Sequence, residues 1–180
     1  MALAAAAAHG QLTNFNSYAA RTYYEAFNAT PDALLVKGSS SIGTLSDQIT
    51  YPVEIRAERL TNPQSSNSVY AVSIRTALGQ QTQVDYIDYD ELDAVIRGVQ
   101  AISQANSTIT PLDNFETVIR TRSGLSIAKV GRGTKVTMTI TCGAPGCARN
   151  QILAPWVLDT LGRTLSQAKA KLDLVAASGQ

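Results

Sequence analysis

The sequence is poor in histidine, cysteine and charge. Its 180 residues include one His, at position 9, two Cys, and 16% charged residues, against ~25% in an ordinary soluble domain. A lone His argues against Ser-His-Asp, Cys-His and His-metal chemistry. Neither a G-x-S-x-G nor an H-E-x-x-H motif occurs. We therefore expect no cofactor and favour a protein without catalytic activity, while leaving the enzyme question open.

Positive and negative charges are nearly balanced. There are 15 Lys and Arg against 14 Asp and Glu, for a formal net charge of +1. This balance argues against a protein that coats nucleic-acid phosphates and against a polybasic membrane anchor. No stretch approaches the ~18 apolar residues of a membrane span, so none is expected.

The chain begins with an Ala-rich segment at residues 1–14. Ala2 to Ala8 resemble the end of a signal peptide, with Ala6-Ala7-Ala8 as the small-residue cleavage pattern. The alternative is an Ala-rich tail with no such role. Residues 15–180 suit one α+β domain, with halves at about 33–105 and 112–177.

The two cysteines enclose a short Gly- and Pro-containing loop, Cys142-Gly-Ala-Pro-Gly-Cys147. Such a turn can bring the sulfurs to bonding distance. A zinc site would need two further ligands, and CxxC redox centres have two intervening residues, not four. The loop therefore predicts a disulfide, with two free structural thiols as the alternative. A disulfide would favour an oxidising compartment.

Residue periodicity in the first half indicates a helix and then a four-stranded meander. Helical spacing predicts a short aromatic helix at 15–27. A first strand is predicted to open at 33–36, and residues 51–60 alternate with Val53, Ile55 and Ala57 on one face. Tyr70, Val72 and Ile74 mark the third strand. Val84 and Tyr86, or the opposite set, mark the fourth.

The start of the next helix is marked by acidic residues. Asp88 and Glu91 fit a capping box, and the stripe Leu92, Val95, Ile96, Val99 and Ile102 predicts a helix ending near Gln104. The acidic cluster consists of Asp85, Asp88, Asp90, Glu91 and Asp93. We interpret it as helix capping, with a cation or partner site as the alternative.

The second half repeats this order. Strands are predicted at Phe115–Arg122, Leu125–Val130 and Lys135–Cys142, and a long helix at about Pro155–Ala176. The helix carries a narrow leucine seam, which we expect to pack on the protein's own sheet, against Val136, Met138 and Ile140. A seam joining two copies is the alternative. The fold class is therefore α+β: two successive antiparallel β-meanders, each followed by a helix.

A basic stretch is the main candidate for a ligand or partner surface. Its members are Arg120, Arg122, Lys129, Arg132 and Lys135. Two residues apart on a strand, Arg120 and Arg122 should share a face. A nucleic-acid reader would interleave such a face with aromatics, but only Phe115 is near. The structural alternative is a solvated face, or one paired with the acidic helix start.

Two resemblances complete the sequence evidence. The pattern IDYDELD at Ile87–Asp93, followed by LDNFE at Leu112–Glu116, resembles small uncharacterised bacterial proteins and implies no activity or site residues. Separately, the order of sheet, helix, sheet and helix resembles the Whirly and PC4-like single-strand binders. That second resemblance is one of architecture alone.

These observations favour a non-enzymatic binding or structural protein of the bacterial envelope, periplasmic or secreted, with a cytoplasmic location as the alternative. One functional alternative is a single-stranded nucleic-acid module that uses the basic hairpin 120–135. Another is a hydrolase with a carboxylate pair. The sequence names no ligand or partner.

Overall fold

The computed structural model describes residues 20–46, 52–78, 81–143 and 150–178. Three regions named above lie outside these residues: the Ala-rich start at 1–14, the beginning of the helix predicted at 15–27, and Cys147. Within the described ranges the fold is α+β with antiparallel sheets, which confirms the predicted class.

The first sheet is a four-stranded meander. Its strands are β1 (Val36–Leu45), β2 (Val53–Asn62), β3 (Asn67–Leu78) and β4 (Gln81–Asp88), hydrogen-bonded in that order. Val53, Ile55 and Ala57 are buried as their alternation predicts. On β4 it is the opposite set, with Ile87, that enters the main core, while Tyr86 packs on the other face.

A short helix, α1 (Tyr23–Asn28), lies on the outer face of this sheet. It starts later than the predicted helix at 15–27, because Thr22 and Glu25 form a capping box there. The Thr22 hydroxyl accepts the Glu25 N–H at 3.0 Å, and the Glu25 carboxylate accepts the Thr22 N–H at 3.2 Å. Tyr24 packs with Leu60 and Ala71 in a second, smaller core.

The helix that follows the first sheet forms as predicted. A 3-10 turn at Tyr89–Glu91 leads into α2 (Leu92–Gln104). Its five buried side chains are those of the predicted stripe. The capping box is present, with the Glu91 carboxylate accepting the Asp88 N–H at 3.2 Å.

The second sheet is also an antiparallel meander. Its strands are β5 (Asn114–Arg120), β6 (Ser126–Arg132), β7 (Lys135–Thr141) and β8 (Asn150–Leu153). β5 ends two residues before the predicted Arg122, because a turn begins where Thr121 donates its N–H to the Leu125 carbonyl at 2.9 Å. Gly124, with φ +85°, completes that turn.

The last helix, α3 (Val157–Ala177), buries the predicted leucine seam at Leu158, Leu161, Leu165 and Leu172. One detail of the prediction is wrong. The helix packs mainly on β1, β2 and β3 of the first sheet and on α2, rather than on the strand with Val136. Val136 lies at the hairpin end of β7 and is 36% exposed.

The two helices therefore cross over. α2 follows the first sheet and packs on β5 and β6 of the second, while α3 follows the second sheet and packs on the first. One apolar core joins residues of both sheets and both helices. None of the helices in the described ranges is long and apolar enough to cross a membrane.

Candidate ligand-binding groove

The structure separates the five predicted basic residues along the second sheet, with Lys129 at the middle of β6 and not at either end. Arg120 is the last residue of β5, and Arg132 pairs across the sheet with Asn114, the first residue of that strand. Arg120 and Arg132 are therefore separated by the length of β5, which is ~20 Å for six steps of extended strand. The predicted set therefore does not form one continuous basic face.

Arg122 is engaged by the acidic helix start. Its guanidinium binds Asp90 through two nitrogens, at 2.9 and 3.0 Å, and Asp88 at 2.8 Å. It also lies 4.6 Å from the centre of the Tyr23 ring. The guanidinium hydrogen bonds hold the pKa of the Asp90 carboxyl below its usual range. Arg122 thus joins the two halves of the fold, which is the structural alternative to a ligand surface.

Lys129 lies on the inner face of the second sheet, in the same cross-strand row as the buried Met138. Its ammonium donates to the carbonyls of Ser103, at 2.8 Å, and Ala105, at 2.5 Å. These are among the last carbonyls of α2, where a cation interacts favourably with the helix dipole. The last turn of α2 has no basic residue of its own, so Lys129 provides the cation from the neighbouring strand.

Arg132 and Lys135 are directly paired residues at the tip of the β6–β7 hairpin. The turn itself is Gly133-Thr134, with Gly133 at φ +56°, and Arg132 is the last residue of β6. Both side chains are exposed. No ion pair engages either of them among the residues that the structure describes.

An open groove of about 630 Å³ lies beside this hairpin tip, between the second sheet and the loop that follows α2. This volume falls within the range of small-molecule sites. Its apolar wall contains Phe115, Val136 and Pro155. Its polar lining contains Lys129, Asn106, Ser107 and Thr134.

Close packing fixes the Phe115 ring of that wall. Phe115 and Gly131 are cross-strand partners, and a β-carbon at Gly131 would lie 2.1 Å from Phe115 Cε1. A glycine is therefore required for the ring to lie against β6. The sequence singled out Phe115 only as an isolated aromatic, because the turn that brings Asn106 and Ser107 to it depends on tertiary packing.

Charge around the groove is unbalanced. Lys129 lies in its wall, and Arg132 and Lys135 flank the turn that borders it. No carboxylate lines it among the described residues. Asp113 and Glu116 are the nearest acids along β5, both exposed, and Glu116 shares a cross-strand row with Val130, on the face opposite Lys129.

The acidic cluster is distributed among structural contacts. Asp88 accepts the N–H groups of Tyr23 and Tyr24, at 2.7 and 3.1 Å, and so caps α1 as well as binding Arg122. Asp85 accepts the Gly143 N–H at 3.1 Å, with Arg21 at 3.6 Å. Burial raises the pKa of the Asp85 carboxyl above its usual value.

A buried ionic network on the first sheet was not predicted. Glu58, fully buried, binds Lys37 at 2.7 Å and Arg75 at 3.2 Å, and accepts hydrogen bonds from Ser73 and Tyr24. Burial opposes its ionisation, but the hydrogen bonds from Lys37, Ser73 and Tyr24 outweigh it, so the pKa of Glu58 lies below its usual value. Burial and Glu58 together raise the pKa of Tyr24.

Comparison with known proteins gives no relative to set beside these observations. No family model, curated protein or solved structure matches the chain.

Proposed function

We propose that this chain is a non-enzymatic binding protein of the bacterial envelope, periplasmic or secreted, and that it takes its ligand in the groove beside Phe115 and Lys129. The groove is the single observation that carries the proposal. Its lining combines apolar side chains, among them Phe115, Val136 and Pro155, with polar groups, and such a combination is found in small-molecule sites.

The ionisable groups elsewhere support binding over catalysis. Glu58 is enclosed by two cations and two hydroxyl donors, and Asp88 by two backbone N–H groups and Arg122. These carboxylates hold α1 and the two halves of the chain together. Their partners saturate them, which suits a structural role better than proton transfer to a substrate.

The compartment is inferred from the Ala-rich start and from the predicted Cys142–Cys147 disulfide. The described backbone beside Cys142 is held in place: Gly143 donates its N–H to Asp85, and a β-carbon at Gly143 would lie 2.1 Å from the Ser123 carbonyl oxygen. These contacts of Gly143 would hold the neighbouring Cys142, one of the two cysteines of the predicted disulfide, in place.

Fragment binding observed by NMR tests the proposal. We expect hits from a fragment library to cluster at the groove and to shift the backbone amides of Asn106, Ser107, Gly133 and Thr134. Ser107→Trp should fill the groove and weaken these hits at least tenfold. Ile109→Trp, in the same 3-10 turn but outside the groove lining, should leave them unchanged. Fragments that bind only elsewhere, or that bind Ser107→Trp equally well, would contradict the proposal.

A second candidate function is single-stranded nucleic-acid binding, supported by the exposed Arg120, Arg132 and Lys135. Such binding would weaken steeply with salt because phosphate contacts release counterions. Titration of a fluorescent oligothymidine at 50 and 200 mM salt distinguishes nucleic-acid binding from small-molecule binding in the groove. Binding that falls about tenfold or more between these conditions, and that is lost in Arg132→Ser, would favour the nucleic-acid function.

A further inference from the structure

We infer that the ligand of this groove is a small organic anion, with a carboxylate or phosphate head at the Lys129 ammonium and a flat apolar body against Phe115, Val136 and Pro155. The inference rests on the proposed function and adds the chemical class of ligand. It is carried by the position of Lys129 and by the apolar side chains that line the groove with it.

The Lys129 ammonium has one donor beyond those that its protein acceptors use in the described residues. An ammonium group has three N–H donors, and two of them are used by the carbonyls of Ser103 and Ala105. Within the described part of the chain, no third acceptor and no carboxylate lies within bonding distance of Nζ. One donor thus remains for a ligand in the groove that the side chain lines.

The surroundings of Lys129 carry net positive charge. The end of α2 contributes the equivalent of about half a negative charge, which only partly offsets the full positive charge of Lys129. Arg132 and Lys135 add two cations at the neighbouring hairpin tip. A half-buried cation that is bound to carbonyls alone is best completed by an anion, because charge-assisted hydrogen bonds are the stronger ones.

The apolar lining of the groove favours a ring system as the remainder of the ligand. The Phe115 ring lies directly against Gly131, and the side chain is only 9% exposed. Val136 and Pro155 extend the apolar surface beside it. A planar ring system can pack against Val136, Pro155 and the accessible edge of Phe115, whereas free inorganic phosphate would use the cation and leave the exposed part of Val136 in water. Asn106, Ser107 and Thr134 are positioned to bind polar substituents at the rim.

Three probes with one ring system test the inference on the full chain labelled with nitrogen-15. They are 2-naphthoate, 2-naphthyl phosphate and the neutral 2-naphthamide. We expect both anions to shift the amides of Asn106, Ser107, Gly133 and Thr134 and to bind at least tenfold more tightly than 2-naphthamide. The two anions also distinguish the carboxylate from the phosphate head. Inorganic phosphate alone should bind much more weakly than 2-naphthyl phosphate.

Variants assign the preference to Lys129. Lys129→Met should lower the affinity for the two anions to that for 2-naphthamide. Lys129→Arg should still bind the anions more tightly than 2-naphthamide. Lys135→Met removes the same charge from the exposed hairpin tip and should change the preference less than threefold. Because Lys129 also caps α2, the spectrum of each variant must show a folded chain. If Lys129→Met fails to fold, the affinities of the three probes for the wild-type protein test whether the groove prefers an anion.

The outcomes separate this inference from the proposed function. If 2-naphthamide binds in the groove as tightly as the anions, the groove binds ligands and the anion inference is wrong. The anion inference is equally wrong if the anions shift only the amides of Arg132 and Lys135 and leave those of the groove unmoved. If neither these probes nor the fragment library perturb the groove, the proposed function itself fails.

Discussion

The phenol of Tyr24 donates a 2.8 Å hydrogen bond to the buried carboxylate of Glu58. This contact fixes the short helix α1 on the outer face of the first sheet, where the Tyr24 ring stacks on Tyr86 with centroids 4.7 Å apart. A charged side chain on a strand thereby becomes part of a small core. Lys37 completes the arrangement, since its ammonium lies near both rings and on the carboxylate.

Glu58→Gln should lower the free energy of unfolding by about 3 kcal/mol at pH 7, because it leaves Lys37 and Arg75 without their buried counterion. The lowered pKa of Glu58 sets the pH dependence. The stabilisation by the ionised Glu58 is present above its pKa in the unfolded chain, about 4.3, and is lost as the pH falls through its lower pKa in the folded protein. The difference in the free energy of unfolding between the wild type and Glu58→Gln, measured by urea unfolding, should therefore be smaller at pH 2.5 than at pH 7.

Glu54→Gln is the matched control on the same strand. Its ion pair with Arg56, at 2.8 Å, is partly exposed, so the loss should stay below about 1 kcal/mol. A Glu58→Gln protein as stable as Glu54→Gln, or one whose deficit persists unchanged in acid, would show that the network does not act as described.

Asp88→Ala should destabilise the protein by about 2–4 kcal/mol, because it leaves two backbone N–H groups of α1 unpaired and removes one carboxylate partner of Arg122. Thermal and urea unfolding measure the loss. Calcium should leave the melting temperature of the wild type unchanged. A rise of several degrees in micromolar calcium would instead mean that Asp88 and its neighbours form a metal site.

Leu165→Ala should cost about 2–5 kcal/mol, since Leu165 is fully buried in the main core. The loss should not depend on protein concentration. Leu174→Ala on the same helix is the control, because Leu174 is 70% exposed and its removal should change little. A cost at Leu165 that grows on dilution, together with a dimer that dissociates in sedimentation, would assign the seam to a second copy.

Cys142 and Cys147 should be bonded in protein recovered from an oxidising compartment. Closing so short a loop stabilises the fold by only ~2 kcal/mol in the chain-entropy model. Intact mass after alkylation without reductant measures the state of both thiols. Addition of two alkyl groups would contradict the disulfide and weaken the case for a periplasmic or secreted location.

Local patterns predicted the elements well where the determining residues are close in sequence. The capping box at Asp88 and Glu91 and the stripe from Leu92 to Ile102 gave α2 with its end at Gln104, because caps and helical faces depend on neighbours within one or two turns. The alternation of β2 likewise placed Val53, Ile55 and Ala57 in the core.

The candidate site could be predicted only in part. The sequence indicated Lys129 and Arg132 by their charge alone. Their strand faces and their positions along the sheet depend on strand register and on the turn at Thr121. Glu58 alternates with the core residue Ala57 on β2, a pattern that by itself favours a solvent-facing position, yet Glu58 is fully buried. Only the tertiary position of α1 encloses it.

The crossed positions of α2 and α3 have a consequence for how the chain can fold. The core face of β1 to β3 is covered by a helix that follows, in sequence, all eight strands of the described ranges, so this face of the first meander stays uncovered until α3 has been made and docked. Contacts between such distant segments slow folding, because much loop entropy is lost before burial compensates. During synthesis, the half-finished chain presents Val53, Ile55, Val72 and Ile74 to the surroundings, an open apolar sheet that invites chaperones or aggregation.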